Sequence, residues 1–215
     1  MDEFLSLHGR ANHALMLDCR SLRFELVPIS ASVRLVVCNT GVKHKLAGGE
    51  YNRRREECEE PVRSLKKVLP GIRALRDVNL EQRREYRGLL SEVAYKRAHH
   101  VVTENARVLH GMEALRMGSV HQFGEYMAES HGSLRDMFEV SCVELDLMVE
   151  LANQRASVYG ARMTGGGFGG ATINLVETSS AEAFAESVAS AYQKETGMVP
   201  TNYICAPADG GGLVE

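Results

Sequence analysis

Arg162-Met163-Thr164-Gly165-Gly166-Gly167-Phe168-Gly169-Gly170 sets five glycines in six positions and runs directly into Ala171-Thr172-Ile173-Asn174-Leu175-Val176. The second half alternates polar and apolar residues and contains Thr, Ile and Val, which predicts a strand. Val158 to Met163, ahead of the glycines, also reads as extended. Glycines adopt positive φ freely and carry no Cβ to hold a neighbour away. A loop of them between two strands can aim backbone N–H groups at a phosphate or nucleotide, or can be a turn that lets the strands pack against a helix. Both readings stand. Gly165, Gly167 and Gly170 formally satisfy G-x-G-x-x-G, but a dinucleotide fingerprint needs a helix after its glycines to support the pyrophosphate. A strand follows here, so that reading fails.

Outward from this loop, extended runs lie at both ends of the chain. His13 to Cys19 and Arg23 to Ile29 flank Arg20-Ser21-Leu22 and predict a hairpin, and Val33 to Cys38 predicts a third strand, buried on both faces. Asn39 to Gly49 reads as a loop, with a helix starting near Glu50 and kinking between Glu57 and Glu60 ahead of Pro61, because proline lacks the N–H and clashes with the preceding turn. Ala94, Ala98, Val101, Val102 and Val108 recur at helical spacing between Leu80 and Met117. Shorter helices are expected over Ser119 to His131 and Val143 to Gln154. Ser179 with Glu182 has capping-box spacing before a helix that presents Phe184, Val188 and Tyr192 on one face and stops at Gly197. Asn202 to Ala206 closes the chain as a strand. Strands at the ends with helices between them predict an α+β fold.

Composition removes several function classes. The chain has 215 residues, 44% hydrophobic and 25% charged, with net charge −3 and pI near 6.3. That balance argues against nucleic acid or an anionic membrane as the main partner. Met1-Asp2-Glu3-Phe4 is acidic where a signal peptide is basic, and no apolar run approaches spanning length. The five cysteines are scattered and lack C-x-x-C spacing, which reads as reduced thiols in a cytoplasmic protein. His99 and His100 point about 100° apart on a helix and cannot chelate together; with no H-E-x-x-H or Cys/His cluster, no metal site is expected. Arg53, Arg54 and Arg55 read as a solvated face that could also draw an anionic nucleotide.

Four segments together resemble the galactokinase branch of the GHMP small-molecule kinases. They are Met1-Asp2-Glu3-Phe4 continuing to His13-Ala14-Leu15-Met16-Leu17-Asp18-Cys19-Arg20-Ser21-Leu22; Cys38-Asn39-Thr40-Gly41-Val42-Lys43-His44 running on to Gly49-Glu50-Tyr51-Asn52-Arg53-Arg54-Arg55; Glu129-Ser130-His131 with Ser133-Leu134-Arg135-Asp136 and Val140-Ser141-Cys142; and the glycine loop. The resemblance runs along essentially the whole chain. It implies transfer of the γ-phosphoryl group of ATP, as its Mg²⁺ complex, to the anomeric hydroxyl of galactose. It makes Asp2 the catalytic base and a sugar ligand, Tyr51 a sugar ligand, and Gly165, Gly166, Gly167, Phe168, Gly169 and Gly170 the loop of the nucleotide site. A positioned carboxylate suits the first role, since it can take the proton from the attacking hydroxyl.

The resemblance also implies that residues 1–30 belong with an N-terminal sugar and ATP domain, their hairpin exposing Leu15, Leu17, Phe24 and Leu26, and that residues 31–215 form the GHMP C-terminal domain, an antiparallel or mixed sheet covered by helices. The family's Gly-Arg-x-Asn-Leu-Ile-Gly-Glu-His-Thr-Asp-Tyr signature and its Pro-x-Gly-x-Gly-Leu-Ser-Ser-Ser phosphate loop do not occur in these 215 residues. The expectation is therefore a C-terminal half, inactive alone, whose Mg²⁺ ligands and possible partner lie in the other half. Two other readings remain open: a non-catalytic sugar- or nucleotide-binding regulator, and a kinase for another sugar such as N-acetylgalactosamine or arabinose.

Overall fold

β3 (Val33–Lys43) holds the centre of the sheet. In the computed structural model, which describes residues 2–43 and 47–211, a four-stranded sheet has the order β4-β5-β3-β6. β4 is Val158–Thr164, β5 Gly169–Glu177 and β6 Thr201–Cys205. Every pairing is antiparallel, with Val36 opposite Asn174 on one side and Ile204 on the other. Ala171 to Val176 is thus a strand, as its alternation predicts. The sheet's two faces are covered by different helices. Val36, Cys38 and Val176 pack with Met148 and Ala152 of α6 (Val143–Asn153) and with Phe184, Val188 and Tyr192 of α7 (Ala181–Thr196). Val33 and Leu175, one residue out of phase, meet Met127 of α5 (Val120–Ser133).

Outside the sheet, α1 (Asp2–His8) precedes a separate two-stranded hairpin of β1 (His13–Leu17) and β2 (Phe24–Pro28). Val27 seats the hairpin on Met112 and Leu115 of the long helix α4 (Glu92–Arg116). A second core joins Leu65 of α2 (Ala47–Leu65) through Ile72, Leu75 and Val78 to Ala94, Ala98 and Val102 of α4. Two crossed ion pairs hold the hairpin's turn to this region. Arg76 donates both Nη groups to the Asp18 carboxylate at 2.9 Å, and Arg20 reaches Asp77 at 2.6 and 3.2 Å.

Several expectations shift. β3 continues past Cys38 to Lys43, with its register against β5 irregular after Asn39, and α2 begins at Ala47, so the predicted 39–49 loop is mostly regular structure. The strand's two faces also differ: Val36, Cys38 and Thr40 are fully buried, while Leu35, Val37 and Asn39 are half-buried. Pro61 does not interrupt α2, because packing at Leu65 and ion pairs at Arg54 and Glu57 hold the helix on both sides of the missing N–H. The region from Leu80 to Met117 divides into α3 (Leu80–Glu85) and α4, the latter capped by the Ser91 hydroxyl, which accepts from the Ala94 N–H. The Ser179 box does not form: residues Thr178–Ser180 make a 3₁₀ turn, Ser180 donates to Glu177, and Gly197 at φ 73° ends α7 as expected. In the hairpin, Leu15, Leu17 and Leu26 are half-buried. Phe24 remains 42% exposed while packing on Phe4 and His8 of α1.

α5 and β4 touch backbone to backbone. A Cβ on Gly124 would lie 1.9 Å from the Tyr159 carbonyl oxygen, and one on Gly160 would lie 2.2 Å from that of Gly124. Gly160→Ala must therefore push α5 off the sheet, and it should cost about 1–3 kcal/mol or more in denaturant unfolding. Gly132→Ala, in the same helix with nothing within 4 Å, should be neutral or stabilise by about 0.5–1 kcal/mol.

The crossed pairs give an acid dependence. The Arg76 hydrogen bonds on Asp18 and the Arg20 hydrogen bonds on Asp77, each aided by two backbone N–H donors, hold both carboxyls well below the usual carboxylate range. A depressed folded pKa contributes stability above the unfolded value of about 4 and loses it as pH falls. Hydrogen-exchange protection factors in β1 and β2, taken against the intrinsic rate at each pH, should fall below about pH 4, and an Asp18→Asn, Asp77→Asn double variant should lose that acid step.

Candidate functional site

The glycine loop joins β4 to β5 at one end of the sheet. Gly165, Gly167, Gly169 and Gly170 all have positive φ, and Phe168 among them sits at φ 59°, a left-handed conformation that is costly for a bulky residue. The glycines do two jobs. A Cβ on Gly167 would lie 2.1 Å from the Val140 carbonyl oxygen, and the neighbouring Phe168 N–H donates to that same oxygen at 2.7 Å. Gly165, Gly166 and Gly170 have no atom within 4 Å of where a Cβ would stand. Gly167 is thus a packing glycine, while the other three leave an open backbone face. The loop's far end is fixed by Thr40, whose hydroxyl donates to the Gly170 carbonyl at 2.8 Å, and Tyr192 donates in turn to the Thr40 carbonyl at 3.2 Å.

Val140 itself is held by an unusual turn. A π-helical stretch, Leu134–Phe138, gives way to Glu139 at φ 55°. Two guanidinium groups occupy the carbonyls there. Arg97 Nη1 donates to Met137 at 2.5 Å, Arg54 Nε to Phe138 at 2.7 Å and Arg54 Nη2 to Glu139 at 2.8 Å. Glu57 accepts from Arg54 at 3.1 Å and from Arg97 at 2.7 Å; the Glu139 carboxylate accepts from Lys96 at 2.7 Å and Arg97 at 2.8 Å. Arg97 is only 2% exposed and Arg54 8%. The Lys96 and Arg97 hydrogen bonds pull the Glu139 carboxyl down to about 2. Burial opposes the charges of Glu57 and Arg97, yet their mutual hydrogen bond and the neighbouring ions keep both ionised.

Arg54 also links this turn to the sugar-side candidate. Its guanidinium carbon lies 5.9 Å from the Phe168 ring centroid, and Tyr51 stands one turn earlier on α2, 62% exposed. The expectation of a solvated Arg53–Arg55 face is corrected at its middle member, since Arg54 is buried. Asp2 opens α1, and its side chain lies outside the described residues. The Gly211 N–H donates to the Ser6 carbonyl at 2.6 Å and the Gly210 N–H to the Gly9 carbonyl at 2.8 Å, so the 207–211 tail fastens α1 and its C-terminal end. The structure therefore brings Tyr51's helix and the glycine loop together through Arg54.

His131 sits under the same end of the sheet. The Met163 N–H points to its Nδ1 at 3.3 Å, which leaves the proton on Nε2, 3.2 Å from Asp146 Oδ1. Burial lowers its pKa, so it stays neutral. Ser141 donates to the same carboxylate at 2.5 Å. Among the described residues no group of three or more His, Cys, Asp or Glu side chains could hold a metal ion, and no helix is long and apolar enough to cross a membrane. A cavity of about 360 Å³ lies between the hairpin, α4, α5 and the sheet, lined by apolar residues such as Met16, Met112 and Phe123. Arg162 and Thr164, on the strand that enters the loop, border it, whereas none of Gly165 to Gly170 does; Gly165 and Gly166 are exposed.

Comparison with known proteins finds relatives of both the sequence and the fold. The GHMP kinases C-terminal family model matches residues 112–194. A galactokinase of Roseiflexus sp. strain RS-1 is 47% identical over 214 residues, all of this chain and 55% of that protein. The human galactokinase is 46% identical over 215 residues, again all of this chain and 53% of the other. The Lactococcus lactis galactokinase, solved in complex with galactose, superposes with a TM-score of 0.89 at 35% identity over 94% of this chain and 53% of that one. A homoserine kinase from Cytophaga hutchinsonii, 13% identical with a TM-score of 0.54, shares the fold. The chain spans about half the length of the curated relatives it matches. The chain thus has the fold of a GHMP kinase C-terminal domain and is similar, along its whole length, to about half of a galactokinase.

Proposed function

We propose that this chain supplies part of the active site of an ATP-dependent galactose kinase. The observation that carries the reading is similarity along the whole of this chain to about half of the length of galactokinases, together with a TM-score of 0.89 to one solved with galactose. In the reaction, the anomeric oxygen of galactose attacks the γ-phosphorus of Mg²⁺-bound ATP in line. A new P–O bond forms to the sugar, the bond to the β,γ-bridging oxygen breaks, and ADP leaves with that electron pair. Asp2 accepts the proton from the sugar hydroxyl, Tyr51 contacts the sugar, and the open face of Gly165, Gly166 and Gly170 lies against the nucleotide.

Phosphoryl transfer rests on positioning and charge stabilisation. The phosphate-binding loop and Mg²⁺ ligands of this reading come from the remaining length that the relatives carry. Residues 1–30 would pack with that remainder, and residues 31–215 would form the C-terminal unit. The free thiols among the described residues suit a cytoplasmic setting.

The test is ADP release with galactose, ATP and Mg²⁺. It compares this chain alone with the chain joined to the preceding half of the Roseiflexus galactokinase. The joined form should turn over and the chain alone should not. In the joined form, Asp2→Asn should lower kcat by about 10²–10⁴, while Tyr51→Phe should chiefly raise the KM for galactose. A folded joined form that binds galactose without turnover would instead support a non-catalytic regulator, and faster turnover of N-acetylgalactosamine or arabinose would reassign the sugar.

A further inference from the structure

We propose that Arg54 is a positioning residue that couples the helix carrying Tyr51 to the glycine loop, so that the two sides of the site keep one register. The inference rests on the functional reading above for its kinetic consequence, but the coupling itself is a matter of geometry. Arg54 spends its whole fork within the protein: Nε on the Phe138 carbonyl, Nη2 on the Glu139 carbonyl and Nη1 on Glu57, with Phe168 beside it. The next carbonyl along, that of Val140, receives the Phe168 N–H and abuts Gly167. Mechanical contact thus passes from Tyr51's helix to the loop through one side chain and three residues of backbone. Arg97 pins Met137 from α4 and shares Glu57 and Glu139 with Arg54's surroundings, so the turn cannot follow one helix without the other.

A lysine cannot replace this arrangement. Its ammonium is a point charge, whereas the guanidinium presents a planar fork that bonds two successive carbonyls and a carboxylate at once. Arg54→Lys therefore keeps the charge, and most of the fold's electrostatics, while cutting the fixed link. A small displacement between sugar and nucleotide is enough to matter, since a misplacement of about 1 Å can cost on the order of 10²-fold in rate.

Two measurements test the proposal. In this chain, hydrogen exchange of the Phe168 amide should accelerate at least about tenfold in Arg54→Lys, while Leu175 in β5 keeps its protection. An unchanged Phe168 amide overturns the coupling. In the joined, galactose-phosphorylating form, kcat per folded enzyme should fall by about 10²-fold, and the KM values for galactose and for ATP should both rise, each by about tenfold. A fall in kcat alone, matching a loss of folded protein, would reduce Arg54 to a structural residue, and a rise in only one KM would equally overturn the proposal. If the wild-type joined form phosphorylates no sugar, the functional reading fails and the exchange experiment still decides the coupling. Should Arg54→Lys not fold, Glu139→Gln, which loosens the same turn from its exposed side, carries both measurements with the same expected directions.

Discussion

Two arginines from different helices bring positive charge into the interior of this chain, and much of the candidate site is organised by how that charge is satisfied. An ion taken out of water costs several kcal/mol unless it meets partners of good geometry. Arg97, almost wholly buried, finds Glu57, Glu139 and the Met137 carbonyl. Arg54 finds Glu57 and the two following carbonyls. The demand is directional, so it dictates where α2, α4 and the π-helical turn stand relative to one another. A greasy contact would allow them to slide. The left-handed Glu139 and the π-helical stretch before it are what let three successive carbonyls face the guanidinium groups instead of completing a regular helix.

The sheet makes the complementary contribution. β3 is buried between α6 and α7 on one face and α5 on the other, and its hydroxyl at Thr40 reaches the last glycine of the loop. β4 delivers the first glycine from a strand pressed against α5 with no side chain between the backbones. The loop is thus set from three sides: by the polar turn, by the strand that enters it and by the strand beside the one that leaves it. Only the open face of Gly165, Gly166 and Gly170 is left without packing.

The sequence was informative where the determinants are local. The apolar run Val33 to Cys38, the alternation over Ala171 to Val176, and the helical spacing that buries Phe184, Val188 and Tyr192 are each set within a single element by how it meets the core. Element ends were less legible, because competition decides them: Ser180 bonds Glu177 instead of completing a cap, and packing on either side carries α2 through Pro61. Arg54 could not have been separated from Arg53 and Arg55 by any nearby residue, since its partners at Phe138 and Glu139 lie more than 80 positions away. Tyr51, exposed on a helix, carries no signal of its own, and Asp2 was readable only through the family resemblance.

The position of β3 has a cost during synthesis. It is the first strand of the four-stranded sheet to be made, yet both of its neighbours, β5 and β6, come from the far end of the chain. β5 follows about 125 residues later, which at ~5–20 residues per second is on the order of ten seconds of translation. Through that interval an apolar strand has two unpaired edges, each a template for pairing with another nascent chain. α2 and α4, with the core between Leu65 and Ala98, are complete in the meantime. The helical half is therefore available as a scaffold while the sheet waits for its last strands, and chaperone dependence should track the central strand and not the helices.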